Sequence, residues 1–250
     1  MAGVALITGA AIRIGRAISE RLAQEGWTVA IHHHSSTDAA QELIDKIVSA
    51  GGRAAGFVAD LSQEDHAQSL IDRVRDELGP VTCLVNSASV FERDDLDSTT
   101  LESWAHHFSV NLRAPFVLTQ QFSQQVPTTS IGNIINILDQ RVWNLTPHFT
   151  SYTLSKATLW TLTQTTAMAL APRIRVNAIG PGATLPSSRQ SEEEFRLQVE
   201  ATPLQRPVSV DEISRAVKFI LDSPTLTGQM IALDAGQHLG GTPAPTRINE

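Results

Sequence analysis

Short apolar runs rich in β-branched residues recur along the chain, and stretches with a helical periodicity separate them. In those stretches apolar residues return every three or four positions, for example at Ile14, Ile18 and Leu22, which predicts amphipathic helices. Regular alternation of strand and helix predicts an α/β fold with a doubly wound parallel sheet and helices on both faces. The seven predicted strands span residues 4–8, 28–32, 54–59, 81–86, 133–138, 175–179 and 230–234.

The composition fits one folded unit. The 250 residues are 42% hydrophobic and 18% charged, enough for one sizeable core, so we predict a single domain over residues 1–250. The net charge of −7 argues against a surface that follows the phosphates of nucleic acid. The single cysteine, Cys83, lies in an apolar run, which predicts a packed core thiol and leaves no disulfide within the chain.

Three further features of the sequence bear on location, on the substrate site and on the end of the chain. The chain has no basic leader and no apolar span of about 18 residues, so we expect a soluble, cytoplasmic protein with no membrane partner. Residues 184–200 start with a polar, helix-breaking stretch and are predicted to form a substrate loop. Residues 240–250 are rich in Gly and Pro and are predicted to be an irregular tail.

A glycine-containing turn, residues 8–15, follows the first predicted strand and opens a helix. Strand, glycine turn and helix in this order are the context of a dinucleotide site in a Rossmann-type fold. Gly9 can take the tight turn without a Cβ penalty, Gly15 lets the helix approach the sheet, and the free N–H groups of the helix start suit a pyrophosphate. An ordinary strand-to-helix turn is the alternative.

The end of the second predicted strand bears on which dinucleotide binds. An acidic residue there usually accepts from the ribose of NAD, whereas this chain has His32, His33, His34, Ser35 and Ser36. Imidazole and hydroxyl donors suit a 2′-phosphate that a carboxylate would repel, so the sequence favours NADPH. A plain surface strand end is one alternative. A metal site is disfavoured because only His32 and His34 share a face of the strand, so no metal is predicted.

Tyr152, the only tyrosine, and Lys156 fall in a helical pattern after the fifth predicted strand. The i, i+4 spacing puts the phenol and the ammonium on one helix face, where the cation is expected to lower the pKa of the phenol. Bringing a phenol from about 10 toward neutrality takes about 4 kcal/mol, within reach of one cation and an oxidised nicotinamide. A chance pair on a helix surface is the alternative, which the glycine turn upstream disfavours.

Several motifs in a fixed order resemble the short-chain dehydrogenase/reductase family over nearly the whole chain. In chain order they are Thr8-Gly9 to Gly15, Asn86-Ser87-Ala88, Asn111, Tyr152 to Lys156 and Pro181-Gly182. Within that family, the chain is similar to pteridine reductases and to dihydropteridine (dihydromonapterin-type) reductases. The closer similarity rests on the glycine motif, the His-rich strand end, Ala88-Ser89-x-Phe91 and Asp139, thirteen residues before Tyr152.

The resemblance implies catalytic roles. Tyr152 would donate the proton, Lys156 would bind the nicotinamide ribose and lower the tyrosine pKa, and Asn111 would hold a proton-relay water. Asp139 would replace the usual catalytic serine. A carboxylate can accept from ring N–H or amino groups, which suits the C=N of a pterin better than a simple ketone.

The resemblance also implies binding residues. Arg13 would reach both the cofactor phosphates and the pterin, and Phe91 would stack on the flat ring; a core aromatic at 91 and a turn-forming Asp139 are the alternatives. The implied substrate contacts are Arg13, Ser89, Phe91, Asp139 and Tyr152. The implied NADPH contacts are Gly9, Arg13, Ile14, Gly15, His33, His34, Ser35, Ser36, Asp60, Leu61, Asn86, Ala88, Tyr152, Lys156, Pro181 and Gly182.

Three residues depart from the family pattern: Ser87 stands where a second Asn is usual, Ile12 where a basic residue is frequent, and Ser35 where an Arg often meets the 2′-phosphate. The sequence therefore predicts an NADPH-dependent reductase of a pterin-like small molecule. A ketone or 3-oxoacyl-thioester reductase of the same family is the first alternative. A nucleotide-sensing regulator without chemistry is the second, although such a protein is expected to lack the Tyr or the Lys.

The helical pattern that carries the Tyr and Lys is more apolar than one sheet face requires. Over residues 155–171 it includes Leu159, Trp160, Leu162, Met168 and Leu170. Such an excess predicts a subunit interface. The family resemblance implies a homotetramer, with a dimer as the alternative.

Overall fold

The computed structural model describes residues 3–187 and 189–240 and builds them around a seven-stranded sheet. The strands are β1 (Val4–Ile7), β2 (Thr28–His33), β3 (Arg53–Val58), β4 (Val81–Asn86), β5 (Gly132–Ile137), β6 (Ile174–Pro181) and β7 (Met230–Leu233). All neighbouring strands pair in parallel, in the order β3-β2-β1-β4-β5-β6-β7. The seven predicted strands are confirmed, with ends shifted by at most two residues.

Helices connect the strands. They are α1 (Arg13–Gln24), α2 (Thr37–Ser49), α3 (Glu64–Leu78), α4 (Leu101–Phe108), α5 (Ala114–Gln125), α6 (Thr150–Leu170), α7 (Glu192–Glu200) and α8 (Val210–Asp222). A π-helical turn, Ser109–Arg113, joins α4 to α5, and short 3-10 turns cover Gln140–Val142 and Gln237–Leu239.

The sheet separates two apolar cores, because the side chains of each strand alternate between its faces. In β1, Leu6 belongs to the core formed with α3, α5 and α6, whereas Ala5 and Ile7 belong to the core formed with α1, α2 and α8. Strands covered on both faces read as continuous apolar runs, as these do. The predicted helices on both faces are confirmed, and Cys83 is buried as predicted, which raises the pKa of its thiol to about 12.

The strand order reverses between β1 and β4, since the chain runs from β1 outward to β3 and then crosses back. Loops that leave the carboxyl ends of these strands diverge there and open a crevice, the usual ligand site of such sheets. The residues of the glycine turn, the end of β4 and the start of α6 all lie at this carboxyl edge.

The predicted substrate loop, residues 184–200, is only half irregular. Its second half is helix α7, which begins with a capping box: the Ser191 hydroxyl accepts from the Glu194 N–H, and the Glu194 carboxylate accepts from the Ser191 N–H. The prediction overlooked this Ser-x-x-Glu signal. Within the described ranges no helix is long and apolar enough to cross a membrane. Of the predicted tail, residues 241–250 lie outside the described residues.

Candidate active site

The predicted proton donor, cation and carboxylate converge at the carboxyl end of β5 and the first turns of α6. The Tyr152 hydroxyl donates a hydrogen bond of 2.9 Å to Asp139 Oδ2. Lys156 Nζ donates one of 2.8 Å to the backbone oxygen of Ile137, the last residue of β5. Tyr152 and Lys156 are only 5% and 3% exposed, so this group forms a largely dry site.

The charges around the phenol act differently from the prediction. Burial, the charge of Asp139 and the hydrogen bond to it raise the pKa of Tyr152 well above its ordinary value, and the cation that opposes them is Arg141. Lys156 Nζ lies 5.9 Å from the centroid of the phenol ring. Burial lowers the pKa of the Lys156 ammonium to about 8, although the negative charge of Asp139 acts to raise it. The predicted lowering of the Tyr152 pKa by Lys156 is not met here, because the phenol donates to a carboxylate that favours its protonated form.

A buried polar cluster that no motif marked holds the start of α6. Asp94 accepts from the Ser151 N–H at 3.0 Å, from the Ser151 hydroxyl at 2.5 Å and from the Ser103 hydroxyl. His107 Nδ1 lies 2.7 Å from the same Ser151 oxygen. The carboxylate pairs with the serines and not with the imidazole, so this is not a nucleophilic triad. Because Ser151 precedes Tyr152, this cluster anchors the first turn of α6 and with it the phenol.

An aromatic wall flanks the phenol. Phe91 meets Tyr152 edge-on, with ring centroids 4.6 Å apart, and stacks on Phe149 at 4.7 Å. The Arg141 guanidinium carbon lies 4.8 Å from the Phe149 centroid. The structure thus places Phe91 beside Tyr152, and its stacking on a substrate ring stays a prediction. Phe149 and Arg141 were missed, although they stand three residues before Tyr152 and two after Asp139.

Asn111 lies in the π-helical turn and is fully buried. Its amide donates to the Val90 oxygen at 2.9 Å and to the Ser155 hydroxyl at 3.1 Å, and its oxygen accepts from the Val90 N–H and the Ser89 hydroxyl. These bonds use both amide protons and both lone pairs. The side chain has no donor left for a relay water, so the implied relay stays a prediction that would have to use the backbone.

The glycine turn is as tight as its sequence requires. Gly9 has a φ of +61°, and a Cβ on it would lie 2.9 Å from Ala88 Cα. A Cβ on Gly15 would lie 2.2 Å from the Gly9 oxygen. Thr8 links this turn to the end of β4, because its hydroxyl accepts from the N–H groups of Ser87 and Ala88. Only glycine leaves this cradle open.

Arg13, the first residue of α1, also has a left-handed backbone, with a φ of +53°. Its guanidinium donates to the backbone oxygens of Pro186 at 2.9 Å and Leu185 at 3.1 Å. It therefore ties the glycine turn to the segment after β6, the irregular half of the predicted substrate loop. Ile14 packs half-buried against the core under the turn.

The end of β2 divides into a buried and an exposed part. His32 Nδ1 accepts from the Gly9 N–H at 3.1 Å, and its Nε2 lies 3.1 Å from the Ala59 oxygen. Burial lowers the pKa of His32 to about 4, so the ring is neutral and its two nitrogens are occupied. His33 is also buried, which lowers its pKa. His34 and Ser35 are exposed and Ser36 is half-buried at the start of α2, which puts donors of the predicted phosphate site at a helix N-terminus.

No group of three or more potential metal ligands occurs in the described part of the chain. His32, one of the two histidines that could have shared a metal, is committed to the glycine turn. That histidine was not among the predicted cofactor contacts, and its role was visible only from the fold.

The remaining predicted contacts frame the same edge. Leu61 is buried and Asp60 accepts from the Ser62 N–H at 2.9 Å. A Cβ on Gly182, directly after the buried Pro181, would lie 2.7 Å from Asp234 Cα, so β6 and β7 approach closely there. Asn86 stays a predicted NADPH contact, but its side-chain amide is turned to the neighbouring strand β5. That amide is 3% exposed and donates to Asn136 Oδ1 at 2.8 Å.

Comparisons with known proteins agree with this geometry. A family model described as short chain dehydrogenase matches residues 3–196. The structure of FolM alternative dihydrofolate reductase 1 from Brucella canis, complexed with NADP, superposes with a TM-score of 0.93 at 46% identity, covering 97% of this chain and 96% of that one. The Brucella suis FolM complex with NADP gives 0.92 at 47% identity, covering 94% and 95%. Among curated relatives, the 3-oxoacyl-[acyl-carrier-protein] reductase FabG of Staphylococcus epidermidis is 30% identical over 94% of this chain and 98% of its own length.

Proposed function

Since the chain belongs to the short-chain dehydrogenase family of oxidoreductases, we propose that it is an NADPH-dependent reductase of a pterin-like, dihydropteridine substrate, with Tyr152 as the proton donor. The observation that carries the proposal is the hydrogen bond of 2.9 Å from the Tyr152 phenol to Asp139, beside the ring of Phe91. Tyr152, Asp139 and Phe91 thus bring a proton source, a carboxylate acceptor and an aromatic face to one site.

The glycine cradle supports the cofactor. A Cβ on Gly9 or Gly15 would collide with the backbone of Ala88 or of Gly9, so both glycines are needed for the tight turn whose backbone N–H groups would face the pyrophosphate. His34, Ser35 and Ser36 would hold the 2′-phosphate, and the FolM relatives were crystallised with NADP. When bound, NADPH supplies the hydride.

The residues of the chain handle the proton. The Tyr152 phenol is held protonated by burial and by Asp139, as a general acid must be before it acts. Lys156 is anchored to the Ile137 oxygen and faces the phenol ring, where its charge would offset the phenolate that remains after transfer. Asp139 can accept from an N–H or amino group of a pterin, which orients the C=N bond to be reduced.

A panel of substrates tests the proposal. We expect oxidation of NADPH with dihydropterins, followed by absorbance, and little turnover with ketoesters. Tyr152→Phe should bind NADPH with unchanged affinity and lose turnover, because it removes the hydroxyl that would supply the proton and keeps the ring. Tight NADPH binding with no turnover on any acceptor would instead favour a nucleotide-sensing regulator.

A ketone or 3-oxoacyl-thioester reductase is the second candidate, favoured by the 30% identity to FabG. A carbonyl oxygen needs a neutral donor beside the tyrosine, and the Asp139 carboxylate offers only acceptors. Asp139→Ser separates the two functions. We expect it to lower dihydropterin reduction and to raise ketoester reduction, and the reverse result would favour the second candidate.

An apolar groove of about 590 Å³ between α4, α5 and α6 supports the proposed self-association. Phe108, Leu112 and Phe116 line one side and Leu162 the other, and Phe116 is 41% exposed. We propose that a second copy covers this groove in a homotetramer or dimer. Light scattering tests it, and Phe116→Glu should dissociate the assembly into smaller species.

A further inference from the structure

Arg141 is placed within the catalytic group by its own local turn. Asp139 caps the 3-10 turn Gln140–Val142, since its Oδ1 accepts from the Arg141 N–H at 2.8 Å. The Arg141 side chain then returns toward the same carboxylate, and its Nη1 lies 3.6 Å from Asp139 Oδ2. Oδ2 is the oxygen that accepts the Tyr152 proton. One carboxylate therefore binds the arginine backbone and faces both the guanidinium and the phenol.

Two aromatic rings fix the guanidinium. Its central carbon lies 4.8 Å from the Phe149 centroid and 5.4 Å from the Phe91 centroid, and these rings stack on each other. Contacts of this kind hold a cation more strongly when it is desolvated, and the Arg141 side chain is only 17% exposed. Its Nε is buried and has no hydrogen-bond partner among the described residues. The ring contacts therefore hold the guanidinium in place although its Nε–H makes no hydrogen bond with the described residues.

The charged and titratable groups that face the phenol are few. Asp139 contacts it directly, Lys156 lies over its ring, and His107 meets it edge-on with centroids 6.1 Å apart. Arg141 is the cation that opposes Asp139 in its effect on the pKa of Tyr152. The His107 nitrogens are occupied, because Nε2 accepts from the Glu92 N–H at 3.1 Å and Nδ1 lies 2.9 Å from the Ser103 oxygen.

We propose that Arg141 is a positioning residue of this reductase, which holds the Asp139 carboxylate against Tyr152 and clamps the Phe91–Phe149 stack beside them. The inference rests on the proposed function for its effect on turnover. In this proposal the positive charge that balances the Asp139 carboxylate is the guanidinium of Arg141, two positions later in the same turn. Direct binding of an anionic substrate group by the guanidinium is the competing role.

Steady-state kinetics of Arg141→Met separate these roles. Methionine keeps an apolar side chain that reaches about as far as the arginine Nε, and it removes the guanidinium and its charge. We expect kcat to fall about tenfold or more with KM changed less than about threefold, because the loss acts on proton transfer. We also expect the alkaline fall of kcat/KM to move up by about one pH unit, since the phenol loses the cation that eases its ionisation. Arg141→Lys keeps the positive charge, so the alkaline fall of kcat/KM should return to the pH seen with the unmodified protein.

The matched control is Arg73→Met. The Arg73 guanidinium also lies over a phenylalanine, 6.0 Å from the Phe57 centroid, but outside the catalytic group. We expect its kinetics to equal those of the unmodified protein. Unchanged kcat and pH profile in Arg141→Met would overturn the proposal. So would a rise in KM confined to dihydrofolate, with its anionic tail, while a neutral dihydropterin is unaffected.

The single tyrosine gives a test that needs no turnover. Tyrosine labelled at its ζ-carbon yields one resonance, which reports the ionisation of Tyr152 alone. Asp139→Asn removes the charge that raises this pKa, and Arg141→Met in the same background should raise the titration midpoint by about one unit. Identical midpoints in the single and double variants would overturn the proposal. If instead no dihydropterin is reduced by the unmodified protein, the proposed function fails and this titration still decides whether the Arg141 charge opposes that of Asp139 at the phenol.

Discussion

Replacing Lys156 by methionine should stabilise the fold while removing activity. The ammonium is 3% exposed, and burial lowers its pKa from 10.5 to about 8. At 1.36 kcal/mol per unit, the folded protein carries a penalty of about 3 kcal/mol wherever the lysine is charged in both the folded and the unfolded states. Methionine fills a similar volume without the charge. It forfeits the bond to the Ile137 oxygen, worth about 1 kcal/mol, so a net gain of about 2 kcal/mol is expected at pH 7.

The difference in stability between the two proteins should depend on pH. Between about pH 8 and 10.5 the unfolded chain binds a proton at Lys156 that the folded protein has released, so the unmodified protein gains stability as the pH rises. The advantage of Lys156→Met should therefore be full below pH 8 and, above 10.5, give way to a deficit of about 1 kcal/mol from the lost bond to the Ile137 oxygen. Other groups that titrate in this range are present in both proteins and cancel in the difference.

Urea unfolding followed by circular dichroism, at several pH values from 7 to about 10.5, measures the difference. Lys218→Met is the control, because Lys218 is a half-buried lysine whose bond of 2.6 Å to Asp222 raises its pKa, the opposite of the shift at Lys156. It should change stability by less than about 0.5 kcal/mol. A Lys156→Met protein that is less stable than the unmodified one by the same amount at every pH would refute the reasoning.

Three more changes test separate parts of the site. Gly15→Ala places a methyl group 2.2 Å from the Gly9 oxygen and should weaken NADPH binding at least about tenfold in a fluorescence titration, whereas Gly26→Ala, with a φ of +83° but open space around it, should cost stability only. His32→Asn should abolish a loss of about 3 kcal/mol of unfolding free energy that the unmodified protein shows as the pH falls from 6.5 to about 4, because His32 is neutral when folded. Asp94→Asn should lower the unfolding free energy by about 2 kcal/mol and reduce kcat, measured by urea unfolding and NADPH oxidation.

Fold and site were predictable to different depths. The strands could be placed from the sequence because each is a short apolar run covered on both faces, a pattern that local composition carries. Gly9 and Gly15 could be assigned roles because their positions require a missing Cβ. Tyr152 and Lys156 could be paired by helical spacing, which brings the two side chains to one buried face.

Contacts between distant segments could not be predicted in this way. Asp94 meets Ser151 across 57 positions of sequence, and His32 meets Gly9 only when β1 and β2 pair. The bond between the side chains of Asn86 and Asn136 was missed for a similar reason, because Asn136 comes from the neighbouring strand β5. Helix α7 is different, because its capping box is local and was visible in the sequence.

The electrostatics of the site follow from Asp139, which by the family resemblance stands where a serine is usual. A serine beside Tyr152 would add no charge, whereas Asp139 adds a carboxylate that favours the protonated phenol. In the proposed role of general acid Tyr152 must also release its proton, so a carboxylate beside it calls for a nearby cation. Lys156 is turned to the Ile137 oxygen, and Arg141 lies at the carboxylate itself. Asp139 caps the turn that carries Arg141, so the carboxylate that contacts Tyr152 and the cation that balances its charge come from one short segment after β5. We therefore expect substitutions at positions 139 and 141 to occur together.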